Sequence, residues 1–357
     1  MGFAAILAVA TLLVLEGLAH VLAAPSPQAG AWRADAEAEG GILLDGSPWF
    51  LWELRPGVHQ ERGVTVSVNT LGMRGPEVGP KSGPRVLALG DSSIYGFGVA
   101  DDAVFTSRLA VSPEVEVING GVPGYSTFQS LNLLDARGLA LEPDLLLVGN
   151  LWSDNNFDTF VDRELLAAYS DWRGSRTGAI RGVLERSALF RWVDWFARVR
   201  GQAESARRVG WTVGGGGDPT GRRRVALQDY AANLYELASR MEARGGAVAF
   251  ILLANRDDIL HRTPNPAWGP YREVMRQTAA SWGAPLVDAP AAFQASGLDV
   301  DALFLDVMHP TAAGHQVLAD AIAAALAGWP ERRIDIVDPG VVPVIADPFL
   351  HMEAPVR

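Results

Sequence analysis

No cysteine occurs anywhere in the 357-residue chain. Disulfides, thiolate metal sites, a cysteine nucleophile and a lipid-modified N-terminal cysteine are therefore excluded, while the compartment is left open. Positive charge is scarce as well: 30 Lys and Arg stand against 41 Asp and Glu, a formal net charge of −11. Nucleic acid is thereby excluded as the main partner, because phosphate contacts need a basic face. Charged residues make up only 20% and hydrophobic ones 48%. That balance excludes a disordered chain and allows one large α/β domain or two smaller ones. His59, His261 and His351 have no partner at metal-ligand spacing, and neither a metal nor another cofactor is expected.

The longest apolar run is at the start. GFAAILAVATLLVL (residues 2–15) carries no charge, and EGLAHVLAA extends it to residue 24. Glu16 and His20 interrupt it, no Lys or Arg precedes it, and Val21-Leu22-Ala23 offers a cleavage site. Residues 1–24 read as an export signal that is removed or as a retained anchor, with a buried N-terminal helix as the alternative; the expected location is outside the cytoplasm: periplasmic, extracellular or anchored.

Residues 25–84 read as a linker and a small β lead-in, in which VTVSVN alternates with period two. After Pro84 the pattern becomes strand–helix alternation. Core strands are expected at 85–89, 115–118, 144–149, 247–253 and 285–287, short and rich in Val, Ile and Leu, as parallel strands covered on both faces are. The fold class is therefore α/β, a doubly wound, mostly parallel five-stranded sheet. An insertion at about 160–228 breaks the alternation. Between Asp171 and Arg224 it holds twelve Arg against five acidic residues, with Trp172, Trp192, Trp195 and Trp211 and the flexible stretch Gly214–Gly217. Two readings stay open: amphipathic helices whose Arg stems cover apolar surface, or a face that meets anionic membrane or acidic polysaccharide. Residues 331–357 read as an extended tail.

In an open parallel sheet, ligands bind beyond the carboxyl ends of the strands. Three polar clusters fall there: Gly90-Asp91-Ser92, the segment Asn119–Ser126 (NGGVPGYS), and Ser153-Asp154-Asn155-Asn156. Far along the chain follow Asp306-Val307-Met308-His309-Pro310 and then an apolar helix. A Ser activated by a His that an acid orients is the working arrangement for acyl transfer. Asp306 and His309, three residues apart, can project toward one hydroxyl, and backbone N–H groups of a glycine-rich loop can form an oxyanion hole. A helix-capping Ser92 is the compatible, blander alternative. Asp154-x-Asn156-x-Asp158 opens like a calcium loop but has Thr159 at its sixth position and Leu165 at its twelfth, so helix capping is the expected use. His315 reads as a packing residue.

GDS after the first strand, N-x-G-x-x-G after the second, a polar loop with Asp after the third and D-x-x-H-P before the last helix together resemble the SGNH, or GDSL, hydrolase family. NTLGMRG (residues 69–75) also looks like the lead-in of exported bacterial members. The resemblance spans about 85–158 and 245–328 and so implies a hydrolase domain over 85–330. It further implies a flavodoxin-like three-layer α/β/α sandwich, with Ser92 as nucleophile, His309 as base and Asp306 as its orienting partner. The family's oxyanion donors fall on the Ser92 and Gly124 amides. One block departs from the family. Where it has Asn in G-x-N-D, this chain has Leu151-Trp152-Ser153-Asp154, so Ser153, Asn155 or, behind them, Asn150 is left to donate.

The resemblance implies a serine esterase cleaving an acyl, perhaps acetyl, ester of a carbohydrate, lipid or small molecule. An O-acyltransferase acting on a cell-surface polysaccharide and a non-catalytic carbohydrate-binding domain are the alternatives.

Overall fold

The computed structural model describes residues 2–22, 44–47, 49–109, 114–158, 160–194, 196, 222–261, 268–331 and 333–342. The linker at 25–41, Trp195, Trp211, Gly214–Gly217 and the tail beyond 342 lie outside them. The chain forms two compact units: Met1–Glu53 with Glu164–Gly210, and Leu54–Arg163 with Trp211–Arg357.

The second unit is built on five parallel strands: β1 (Arg85–Gly90), β2 (Glu116–Gly121), β3 (Leu145–Gly149), β4 (Ala247–Leu252) and β5 (Leu286–Asp288). Their spatial order is β5-β4-β3-β1-β2, the flavodoxin-like order. Every residue of β1, β3 and β4 is buried, which explains why these strands read as unbroken apolar runs rather than alternating ones. Helices cover both faces of the sheet. Those at Thr127–Ala136, Leu227–Glu242 and Gly269–Trp282 pack together on one side, and that at Ala312–Ala325 packs with Phe105–Arg108 and Ala289–Ala295 on the other. Leu227–Glu242 buries Leu227, Tyr230, Leu234, Leu237 and Met241, a stripe at three- and four-residue spacing.

The chain leaves β1 for β2 on one side and later returns to β3 on the other, so the loops after β1 and β3 part at that point. Ligand crevices form there in such sheets. Gly90 makes the close approach possible: a Cβ on it would lie 2.2 Å from the Gly149 carbonyl oxygen and 2.3 Å from Ile94.

The lead-in of this unit is an antiparallel hairpin, Gly57–Glu61 with Val64–Val68. The following segment is tied beneath the first loop by the buried Arg74. Its guanidinium donates to the Tyr95 and Gly96 carbonyls at 2.8 and 2.7 Å and to that of Val99, and it pairs with Asp101. The first unit holds helix α1 (Gly2–Val21), a helix at Arg176–Leu184 and a helical stretch at 188–194.

Candidate active site

Ser92 is the first residue of a one-turn helix, Ser92–Tyr95, directly after β1. The cap of that helix is Asp91 and not Ser92: the Asp91 carboxylate accepts from the Ser93 amide at 2.9 Å. It also accepts from the Trp152 and Leu151 amides at 3.2 and 3.4 Å, so one fully buried side chain ties the loop after β1 to the loop after β3. Burial pushes its carboxyl up to about 6 against the pull of these donors. The Ser92 hydroxyl is left free of capping.

Asp306 and His309 share one turn ahead of the last helix. Asp306 Oδ1 accepts from the Met308 and His309 amides at 3.0 and 2.9 Å, and Oδ2 lies 2.7 Å from His309 Nδ1. Burial alone would raise this carboxyl; the hydrogen bonds from the ring and the two amides instead hold it well below the usual carboxylate range. An ionised carboxylate only accepts, so Nδ1 carries a proton and Nε2 presents its lone pair. Nε2 lies 2.7 Å from Ser92 Oγ. The loop holding the pair is itself pinned, by Leu305 N–H to the His309 carbonyl at 2.8 Å and Arg256 N–H to that of Val307 at 3.0 Å. Phe97 packs its ring 4.8 Å from the imidazole.

The loop after β2 starts beside β1, where the Val122 amide donates to the Gly90 carbonyl at 3.0 Å. Gly124 adopts φ +78, a left-handed conformation that favours glycine. The Ser92 and Gly124 amides make no hydrogen bond among the described residues. The Gly124 carbonyl does: it accepts from Arg224 at 2.9 Å. Arg224 is buried and forks onto Asp162 through two 2.8 Å bonds, while also donating to Gln129 at 3.0 Å. Ser126 donates to the same Asp162 at 2.5 Å.

The three side chains considered for the unusual block differ in what they already bind. The Asn155 amide donates to the Leu151 carbonyl at 2.6 Å. That of Asn150 donates to the Tyr125 carbonyl at 3.3 Å, and its oxygen accepts from Ser130. The Ser153 hydroxyl, almost buried, has no hydrogen-bond partner among the described residues.

The profile of the GDSL-like lipase/acylhydrolase family matches residues 88–317, a span that runs from β1 past His309 into the last helix. The chain belongs to this family. It is accordingly a carboxylic ester hydrolase of the GDSL type. No protein of curated function matches the chain. Among solved structures it is similar to an acetylxylan esterase from Geobacillus stearothermophilus, at 18% identity over 70% of this chain and 96% of that one, TM-score 0.44. It is also similar to a lipase/acylhydrolase from Enterococcus faecalis, at 16% identity over 69% and 96%, TM-score 0.43. An α/β hydrolase from the metagenome of Lake Arreo, Spain, is 18% identical over 68% and 95%, TM-score 0.44.

Other polar residues of this GDSL hydrolase are used in packing. Asp154 does not cap the helix that follows it; its Oδ1 accepts from the Thr127 amide and hydroxyl at 2.9 and 2.5 Å. Burial pushes its carboxyl up to about 8. His315 is buried against Phe105, accepts from the Phe105 amide at 3.4 Å, and is driven down to about 3 by burial. Among the described residues no three His, Asp or Glu side chains gather as a metal site would require. Asp91, Arg74 and Arg224 escaped the sequence reading. The only local signal for any of them was the small, polar corner at Gly90-Asp91-Ser92.

Proposed function

We propose that the protein hydrolyses an acyl ester of a carbohydrate or lipid alcohol through a covalent acyl-serine on Ser92. One observation carries the reading: Ser92 Oγ, His309 and Asp306 lie in a single hydrogen-bonded line with both links at 2.7 Å. Ser92 Oγ attacks the ester carbonyl carbon as Nε2 takes its proton, and Asp306 stabilises the imidazolium that forms. The negative charge that develops on the carbonyl oxygen is met by the Ser92 and Gly124 amides, which have no other partner among the described residues, and by the Ser153 hydroxyl. Collapse breaks the bond to the alcohol oxygen, which leaves with the proton from Nε2. Water then attacks the acyl-serine, giving its proton to Nε2, and the acid is released as Ser92 regains a proton.

Ser153 supports this assignment over Asn155 because its hydroxyl is not already engaged. The test is a panel of esters with acyl chains from C2 to C16, combined with mass spectrometry of protein quenched during turnover. An added acyl mass on the Ser92 peptide, absent in Ser92→Ala, is expected. Turnover with no acyl-protein and full activity in Ser92→Ala would overturn the reading. Transfer of the acyl group to an added sugar, without free acid, would assign the O-acyltransferase instead.

A further inference from the structure

The side chains of α1 are exposed along the described helix with two exceptions, Glu16 and Ala19, which lie one turn apart on the same face. Glu16 is bound by the segment 187–189 of the same unit. Glu16 Oε2 accepts from the Ser187 hydroxyl at 2.6 Å and the Leu189 amide at 3.0 Å, and Oε1 accepts from the Ala188 amide at 2.6 Å. His20 sits one turn on, 3.2 Å from the same carboxylate. Ala188 is fully buried. An apolar helix meant only for removal has no use for a carboxylate with three donors. Cutting it away would leave those three donors open to water.

The apolar stretch Phe3–Val21 has 19 residues. At 1.5 Å per residue it is about 28 Å long, the thickness of a bilayer's hydrocarbon core. Glu16 lies five residues before its end, about 7.5 Å inside, so elements bound to Glu16 stand at the level of the membrane boundary. Those elements are dressed for that level. Ile180, Val183 and Leu184 stand exposed between Arg176 and Arg186, which are also exposed, and Val193 and Phe196 stand exposed beyond them, while Arg181 is kept inward by Glu185 and Asp194. Apolar residues interspersed with Arg are the surface of a helix lying in the lipid interface.

We propose that α1 remains on the mature protein as a membrane anchor. We further propose that the helical segments at 176–184 and 188–194, clamped to it through Glu16, form a second contact that lies in the headgroup boundary of the same phospholipid bilayer. Neither part depends on the esterase assignment, and activity is not the readout. The full chain is produced in a Gram-negative host that processes export signals, and its intact mass is measured. A chain beginning at Met1 or Gly2 is expected; a chain beginning after Ala23 would overturn the anchor.

The absence of cysteine allows a single environment-sensitive label at Ile180→Cys or Val193→Cys, both exposed positions that the fold does not need. In vesicles of phosphatidylethanolamine and phosphatidylglycerol, the label should be quenched by nitroxide carried near the lipid headgroups and shielded from aqueous iodide. Full iodide quenching with none from the lipid would overturn the interfacial contact. Glu16→Leu should stay in the membrane fraction, yet trypsin should cut at Arg186 several-fold faster. An unchanged cleavage rate would overturn the clamp.

Discussion

The front and the back of the same sheet edge treat polar groups in opposite ways. At the front, Ser92 and Gly124 leave their amides unpaired, Ser153 leaves its hydroxyl unpaired, and His309 turns a lone pair toward Ser92. At the back, Ser126, Gln129, Asp162 and Arg224 spend their hydrogen bonds on one another and on the Gly124 carbonyl. Unpaired donors near an apolar core are costly and are kept in position only where their surroundings are over-determined. A back whose bonds are satisfied can hold a front with free donors in place. Arg224 is the joint, since it grips the carbonyl of Gly124.

The largest effect is expected from breaking the front. Ser92→Ala and His309→Ala should each lower kcat by at least ~10³-fold with an unchanged circular dichroism spectrum, and Asp306→Asn by no more than that. Steady-state hydrolysis of a short-chain ester checks this, and wild-type kcat in pure Ser92→Ala would refute the assignment. Next comes the donor: Ser153→Ala should lose roughly 10²–10³ in kcat with little change in KM. Asn155→Ala, whose amide is already given to Leu151, should stay within a few-fold of wild type. The reverse ranking would move the donor to Asn155.

Breaking the back should cost less turnover and more stability. Arg224→Lys keeps the charge but not the fork onto Asp162, so kcat should fall about tenfold, equivalent to ~1.4 kcal/mol in the barrier, with KM nearly constant. A drop in melting temperature with kcat intact would make Arg224 a stabilising residue with no hold on the Gly124 loop.

The last effect leaves turnover alone and concerns stability only. Asp154 has one oxygen bound to Thr127 and the other, Oδ2, without a partner among the described residues. The fold holds its proton up to about 8, whereas an unfolded chain releases it near pH 4. Between those values the unfolded state binds fewer protons, so this group makes the protein less stable as pH rises, by up to about 1.4 kcal/mol per pH unit. Asp154→Asn removes the titration. Denaturant midpoints of the two proteins should therefore diverge from about pH 4 to about pH 8 in favour of the variant and run parallel above, and parallel curves throughout would show that Asp154 is ionised in the fold.

The strands at 85–90, 145–149 and 247–252 were legible to within a residue or two, and so was the turn that carries Asp306 and His309. These features rest on short-range physics. Strands buried on both faces must be apolar throughout, and an Asp three residues before a His is close enough along the chain for its carboxylate to reach the imidazole. The parallel order and the position of the carboxyl edge follow from strand–helix alternation, so the sequence alone determined where a site had to be.

It did not determine which groups there are free. Ser92 meets His309 across 217 residues, and Arg224 meets Gly124 across 100. Glu16 meets Ser187 across 171. That Asp91 caps the helix in place of Ser92, that Asn155 is already engaged, and that Asp154 faces Thr127 were equally invisible. A hydrogen bond is decided by the last ångström and by competition among nearby partners. Only the packed chain sets those distances, whereas periodicity records no more than which face of its own element a residue occupies.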